Sequence, residues 1–334
     1  MSRFAAAASA VLFLLASSIS PPASAFAATG ADPGTRGVAL PTSLRDERLL
    51  DRERLRAWGI ERPSRLAFDE EGALYVLDAR TRRVIRLSLG SRPAAGDDAR
   101  GDADGTLVFG DASVTSALPH DLAFDLRGSL LVLDRAGATL LAYDSRAAFL
   151  GARDIDPSLT EEARSAEARL LRDAYGDLWL LAPRETDLVP LDGRLRRRRS
   201  ARFLTPEDSL SQPVAAAFLP HGGGWVADRG RGLVSRFDAT GRIVGSVSLA
   251  DSVEGSPSDL AADDSGSIYV ADAEGSRIVV IGPDGKSRVT RWLGGSARSW
   301  RPDAIAWGGG DRVAVADESR DEIWIFAVRR ETAP

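Results

Sequence analysis

Six copies of one pattern, starting 56, 48, 46, 44 and 45 residues apart, predict an all-β chain closed into a six-bladed β-propeller with four antiparallel strands per blade. Two further observations point the same way. Nearly every copy carries a tight Asp-x-x-Gly or Gly-rich turn between an opening strand and a second strand that is almost wholly apolar. A continuous apolar strand needs cover on both faces, and neighbouring blades supply it.

The first copy, residues 63–78, reads PSRLAFDEEGALYVLD and leads into a third segment, RRVIRLSLG. The second, residues 119–134, reads PHDLAFDLRGSLLVLD. The third, residues 167–182, is degenerate but keeps Asp173, Gly176 and an apolar strand at 178–181. The fourth to sixth start at Pro213, Pro257 and Pro302, and the fifth, PSDLAADDSGSIYVAD, is the most regular. In that copy Pro283, Asp284 and Gly285 turn the chain into a fourth strand.

The last copy ends after its third strand. Closed propellers avoid an exposed edge by completing one blade from both termini, so an N-terminal strand is expected to close blade six. Residues 43–59 suit either a short helix or a strand, and residues 54–58 are expected to pair beside residues 322–328. The domain plan is a leader at 1–25, a flexible Gly/Ala/Pro-rich lead-in at 26–52 and the propeller at 53–330.

The units resemble NHL repeats, which read P-x-G-hydrophobic-A-x-D-x-x-G-x-hydrophobic-Y-V-A-D followed by an R-I-x-hydrophobic strand. Pro257, Ala261, Asp263, Gly266, Ile268, Tyr269, Val270, Ala271, Asp272, Arg277 and Ile278 carry the resemblance, which extends over residues 63–329. It implies a six-bladed propeller. Departures are the third unit and the missing Asn-His pair before the arginine. Amidating lyases, propellers of this kind with a histidine-bound zinc, need more than the two histidines present. Gluconolactonase-like propellers use acidic residues plus asparagine on a divalent metal, and this chain has no asparagine.

Arg3, an apolar run at 4–19, two prolines and Ala23-Ser24-Ala25 form a secretory leader, so an extracytoplasmic location, periplasmic or secreted, is expected. No later run is long enough to span a bilayer. The absence of cysteine excludes disulfides and a thiolate nucleophile. A net charge of -5 argues against a general nucleic-acid binder. The chain is expected to be a monomer.

Strand direction puts the start of each innermost strand and the end of each second strand on one face, at the mouth of the central channel. Arg65, Asp121, Arg169, Asp259 and Asp303 fall there, and His120 starts an inner strand on the same face, so these six are the candidate ligand-binding residues. The recurring strand-end aspartates Asp78, Asp134, Asp228, Asp272 and Asp317 read as structural acceptors for turn N–H groups. His221 belongs to a turn at the opposite end of its strand, about 15 Å away, so the two histidines cannot share a metal.

Residues 96–105, with Asp98, Asp102 and Asp104, read as a solvated insert rather than a calcium loop, because no glutamate follows at the twelfth position. The arginine run at 194–202 falls where the outer strand of blade three belongs, and charge there guards an edge. Residues 157–168 are expected to cross the mouth face as a short helix or loop.

Two functions remain foremost, with polyanion binding through the arginine run at 194–202 as a third possibility. The first is an exported, non-enzymatic module whose mouth-face loops contact a protein, peptide or glycan, without a cofactor. The second is a metal-dependent hydrolase or lactonase holding a divalent cation on Asp121, Asp259 and Asp303, with His120 as general base.

Overall fold

The computed structural model describes residues 39–90, 104–109, 117–198, 210–250, 255–286, 288–292, 300–308 and 311–332. The expected leader at 1–25, residues 96–103 of the acidic insert and residues 199–202 of the arginine run lie outside them.

Six antiparallel sheets follow one another along the chain. Blade one runs from the innermost strand outward through Pro63–Phe68, Leu74–Asp78, Arg83–Ser88 and Asp104–Phe109. Blade two has Pro119–Phe124, Leu130–Asp134, Thr139–Tyr143 and Phe149–Asp154. Blade four has Pro213–Phe218, Gly224–Asp228, Leu233–Phe237 and Ile243–Ser248. Blade five has Pro257–Ala262, Ile268–Asp272, Arg277–Ile281 and Arg288–Trp292.

In blade three, three strands fall among the described residues. Its sheet has Arg169–Arg172, Leu178–Ala182 and Asp187–Pro190, and beyond these the described chain adds only a bridge between Leu191 and Arg197. Asp192 accepts from the backbone N–H groups of Arg194 and Arg196 in a turn that brings the arginine run back beside the third strand, where Arg198 N donates to Pro190 O at 3.0 Å.

Blade six contains Ala304–Gly308, Arg312–Asp317 and Glu322–Thr332, and its outer strand is Ala39–Leu50, with Leu44 opposite Val328 and Leu50 opposite Ile323. The closing strand therefore lies upstream of residues 54–58. That segment falls in a helix, Arg52–Ala57, and its C-terminal cap, Trp58. The switch is encoded by Asp51, whose side chain accepts from Arg54 N at 3.0 Å and caps the helix. The propeller thus begins at Ala39, inside the segment expected to be a flexible lead-in.

Second-strand residues alternate between two interfaces, as a strand's period of two requires. Leu74 and Val76 pack toward blade six, while Tyr75 and Leu77 pack toward blade two. The same division recurs in blade five, where Ile268 and Val270 face blade four and Tyr269 and Ala271 face blade six. Six apolar clusters result, one between each neighbouring pair, including blades six and one. The ring is closed by packing as well as by hydrogen bonds.

The helix belongs to this closure. Leu55 and Ile60 are fully buried against blades one and six, and Trp58 lies over Gly105, where any Cβ would meet its ring at 2.7 Å. Among the described residues no helix is long and apolar enough to cross a membrane.

Candidate functional site at the channel mouth

Each innermost strand places one residue at an equivalent ladder position, opposite the residue that precedes the end of the second strand. Arg65 faces Leu77, Asp121 faces Leu133, Arg169 faces Leu181, Ala215 faces Ala227 and Asp259 faces Ala271. In blade six this position belongs to Ala304, opposite Ala316. The ring around the channel therefore reads Arg, Asp, Arg, Ala, Asp, Ala. Asp303 sits one residue earlier, where it accepts from Arg301 Nε at 3.3 Å and Glu318 N at 3.1 Å.

An innermost strand has one unpaired edge, and the two ring carboxylates serve it. Asp121 Oδ2 accepts from Leu170 N of blade three at 2.7 Å. Asp259 Oδ2 likewise accepts from Ile305 N of blade six at 3.0 Å, and its Oδ1 from Leu260 N at 3.0 Å. Each aspartate thus ties its blade to the next by satisfying an edge N–H that would otherwise be orphaned.

The arginines are served less fully. Arg65 Nε lies 3.7 Å from Asp121 Oδ1, without a hydrogen bond, and its Nη1 donates to Ser64 O at 2.6 Å. Arg169 is 6% exposed, and its Nη1 donates to Ala168 O at 2.9 Å and lies 3.4 Å from His120 Nε2. Burial, aided by Arg65, pushes the Arg169 guanidinium down to about 10. Burial and the guanidiniums of Arg169, Arg65 and Arg135 push His120 down to about 3, so its imidazole is neutral at physiological pH. Burial pushes the carboxyls of Asp121 and Asp259 up, with Arg169 and Arg65 opposing. Burial also pushes Asp303 up, but its neighbours are Asp317 and Arg301.

The structure thus gathers Arg65, His120, Asp121, Arg169 and Asp259 and leaves Asp303 outside the group. Arg135 and Arg229 join it, the first acting on His120 and the second on Arg169. Both directly follow a strand-end aspartate on the mouth face. That position is recognisable in the sequence and is the signal that would have found them.

Among the described residues no group of three or more His, Asp or Glu is arranged to hold a metal ion. Two ring guanidiniums beside two carboxylates that already accept backbone N–H groups make a poor cradle for a divalent cation. His120, with a pKa of about 3, is also a weak general base at neutral pH.

The strand-end aspartates are structural acceptors. Asp78 accepts from the N–H groups of Glu61, Arg62, Arg80 and Thr81, and Asp317 from those of Arg301, Ser319 and Arg320. They clamp the loop entering each blade to the turn leaving its second strand. Blade three has Ala182 instead, and Glu162 of the short helix Thr160–Ala163 reaches Arg184 N at 3.1 Å. In the arginine run, Arg197 pairs with Glu185 and Arg198 with Asp177. A cleft of about 410 Å³ between blades six and one is internally neutralised by Arg62–Glu318 at 2.7 Å and Arg52–Asp321 at 3.0 Å.

Closed ring and polar mouth together define a six-bladed β-propeller with charged residues gathered at the channel mouth. The NHL-repeat family model matches residues 255–281, in blade five. A search of curated protein sequences finds no match. Solved structures with the same fold include virginiamycin B lyase from Staphylococcus aureus, at TM-score 0.53 and 11% identity over 79% of this chain and 80% of that one. A gluconolactonase from Xanthomonas campestris gives 0.56 and 14%, covering 88% and 98% of the two chains. A nidogen–laminin complex gives 0.55 and 15%, covering 78% and 92%. At these identities the likeness is one of fold.

Proposed function

We propose that this chain is an exported, non-enzymatic binding module that engages its ligand or partner at the mouth of the propeller channel. One observation carries the reading. The positions that recur from blade to blade are accounted for by the folding of the blades, whereas the inner-strand ring varies from copy to copy, and its four charged members gather at the mouth. Export is the role assigned to the leader at residues 1–25. A propeller within the nidogen–laminin complex gives the reading a precedent at the level of fold only.

The test is capture of a partner from an envelope extract by immobilised protein. A double change of Arg65 and Asp259 to Ala should abolish capture, while Tyr175→Ser, an exposed residue in a turn at the opposite face, should preserve it. Equal capture by both variants would refute the mouth-face reading.

A metal-dependent hydrolase or lactonase is the alternative, in line with the folds of the gluconolactonase and the lyase. It requires a stoichiometric divalent ion on purified protein that is lost on changing Asp121 or Asp259 to Ala. Elemental analysis without such an ion removes it.

A further inference from the structure

Removing a cation from water is costly unless a counter-charge accompanies it, so buried guanidiniums are normally paired. Arg169 is an exception. It is 6% exposed, its Nε has no hydrogen-bond partner, and no carboxylate among the described residues lies within ion-pair distance of it. Arg65 Nε, also buried, has no hydrogen bond and has Asp121 only at 3.7 Å. The ring carboxylates do not fill the gap: Asp121 and Asp259 accept from Leu170 N, Leu260 N and Ile305 N, and neither comes within ion-pair distance of Arg169.

At the rim, Arg135 and Arg229 are half-buried and form no ion pair among the described residues. Arg229 spends only its Nε, on Pro257 O at 3.4 Å. Guanidiniums offer only donors, so the site holds a surplus of N–H groups and positive charge over acceptors.

We propose that the channel mouth binds a small organic carboxylate, seated against the Arg65 and Arg169 guanidiniums with Arg135 and Arg229 at its rim. This rests on the mouth-face reading above and names its ligand class. A planar fork of N–H donors matches a carboxylate in both shape and charge, which a point cation would not. Depth sets the size, since a residue as enclosed as Arg169 is reached by a slender terminal group and not by a flat protein surface. His120, uncharged at neutral pH, adds no competing titration, and its Nε2 lies 3.4 Å from Arg169 Nη1.

Isothermal titration calorimetry on the purified protein tests this with two acids, glucuronate and N-acetyl-alanyl-alanine. Each is set against its neutral counterpart, glucose or the dipeptide amide. The expected result is saturable one-to-one binding of one acid and none of its counterpart, which also tells a uronate source from a peptide C-terminus. Arg135→Gln should weaken binding about tenfold, and Arg65→Gln or Arg169→Gln about ten- to a hundredfold, as loss of a charge-assisted contact implies. Arg135 is half-buried and unpaired, so that variant tests the site even if Arg169→Gln fails to fold.

Absence of binding by both acids, equal binding of acid and neutral forms, or indifference to Arg65→Gln and Arg135→Gln would overturn the assignment. Tighter binding of inorganic phosphate than of either acid would reject the carboxylate class. Partner capture that survives Arg169→Gln but is lost when the rim loops are altered would reject the carboxylate while leaving the mouth-face reading intact.

Discussion

Arg277 Nε donates to Asp272 Oδ2 at 2.7 Å, and both side chains are wholly shielded from water. Asp272 also accepts from Ser256 N at 2.9 Å and Gly275 N at 3.1 Å, while Arg277 Nη2 donates to Leu249 O. The pair fastens blade five to the loop that leaves blade four. Removing one partner strands the other charge, so Arg277→Leu should cost about 3–5 kcal/mol in urea unfolding. A loss below about 1 kcal/mol would show that Asp272 is satisfied by its backbone donors alone.

Leu50 is fully buried where the N-terminal strand meets blades six and one. Leu50→Ala should destabilise the propeller by about 2–5 kcal/mol. Leu126→Ser, at a position 61% exposed, should shift stability by less than about 0.5 kcal/mol in the same assay. Similar losses for both would contradict closure by this strand.

Asp121→Ala orphans Leu170 N and removes the carboxylate nearest Arg65. A loss of about 1–3 kcal/mol is expected, with the denaturant slope unchanged. Hydrogen exchange at Leu170 should accelerate, and unaltered exchange there would show that the tie between blades two and three is dispensable.

His120 is surrounded by Arg65, Arg135 and Arg169, and its pKa falls from the ordinary 6.5 to about 3. The folded state binds this proton less readily than the unfolded chain does. Its contribution to stability is therefore complete above about pH 6.5 and drains away as pH falls toward about 3, by at most about 1.4 kcal/mol per pH unit. Asp121 and Asp259, whose carboxyls burial pushes up, act in the opposite sense, since their contribution is complete at low pH and is lost as pH rises through their folded values. The difference between wild type and His120→Gln isolates the histidine. Unfolding free energy between pH 6.5 and 4 should decline less steeply in the variant, and parallel profiles would contradict the assignment.

The blades were legible in the sequence because repetition supplies independent readings of one pattern, and the strand-end aspartates because their turn chemistry is local. Arg65, Asp121 and Asp259 were legible from their distance to the repeat proline. Asp303 was misplaced because it lies one residue, not two, after its proline; the equivalent position in blade six is Ala304, which the ladder register also selects. The closing strand was placed too late because its apolar residues also fit a helix, and only the Asp51 cap divides the two. The depth of Arg169 and its lack of a counter-ion depend on three blades at once, which no local pattern records.

The pairing of Leu44 with Val328 joins strands from distant parts of the sequence. The strand at 39–50 has no partner in the sheet until the strand at 322–332 is available, so until then it is a solitary edge. Its sequence suits that wait. Arg45, Asp46, Glu47 and Arg48 interrupt its apolar residues, and when the ring closes Glu47 meets Arg312 at 2.7 Å and Arg48 donates to Leu89 O at 2.6 Å. Charges that discourage premature pairing become the contacts that confirm the right one. The strands at 39–50 and 322–332 form a latch that closes the ring.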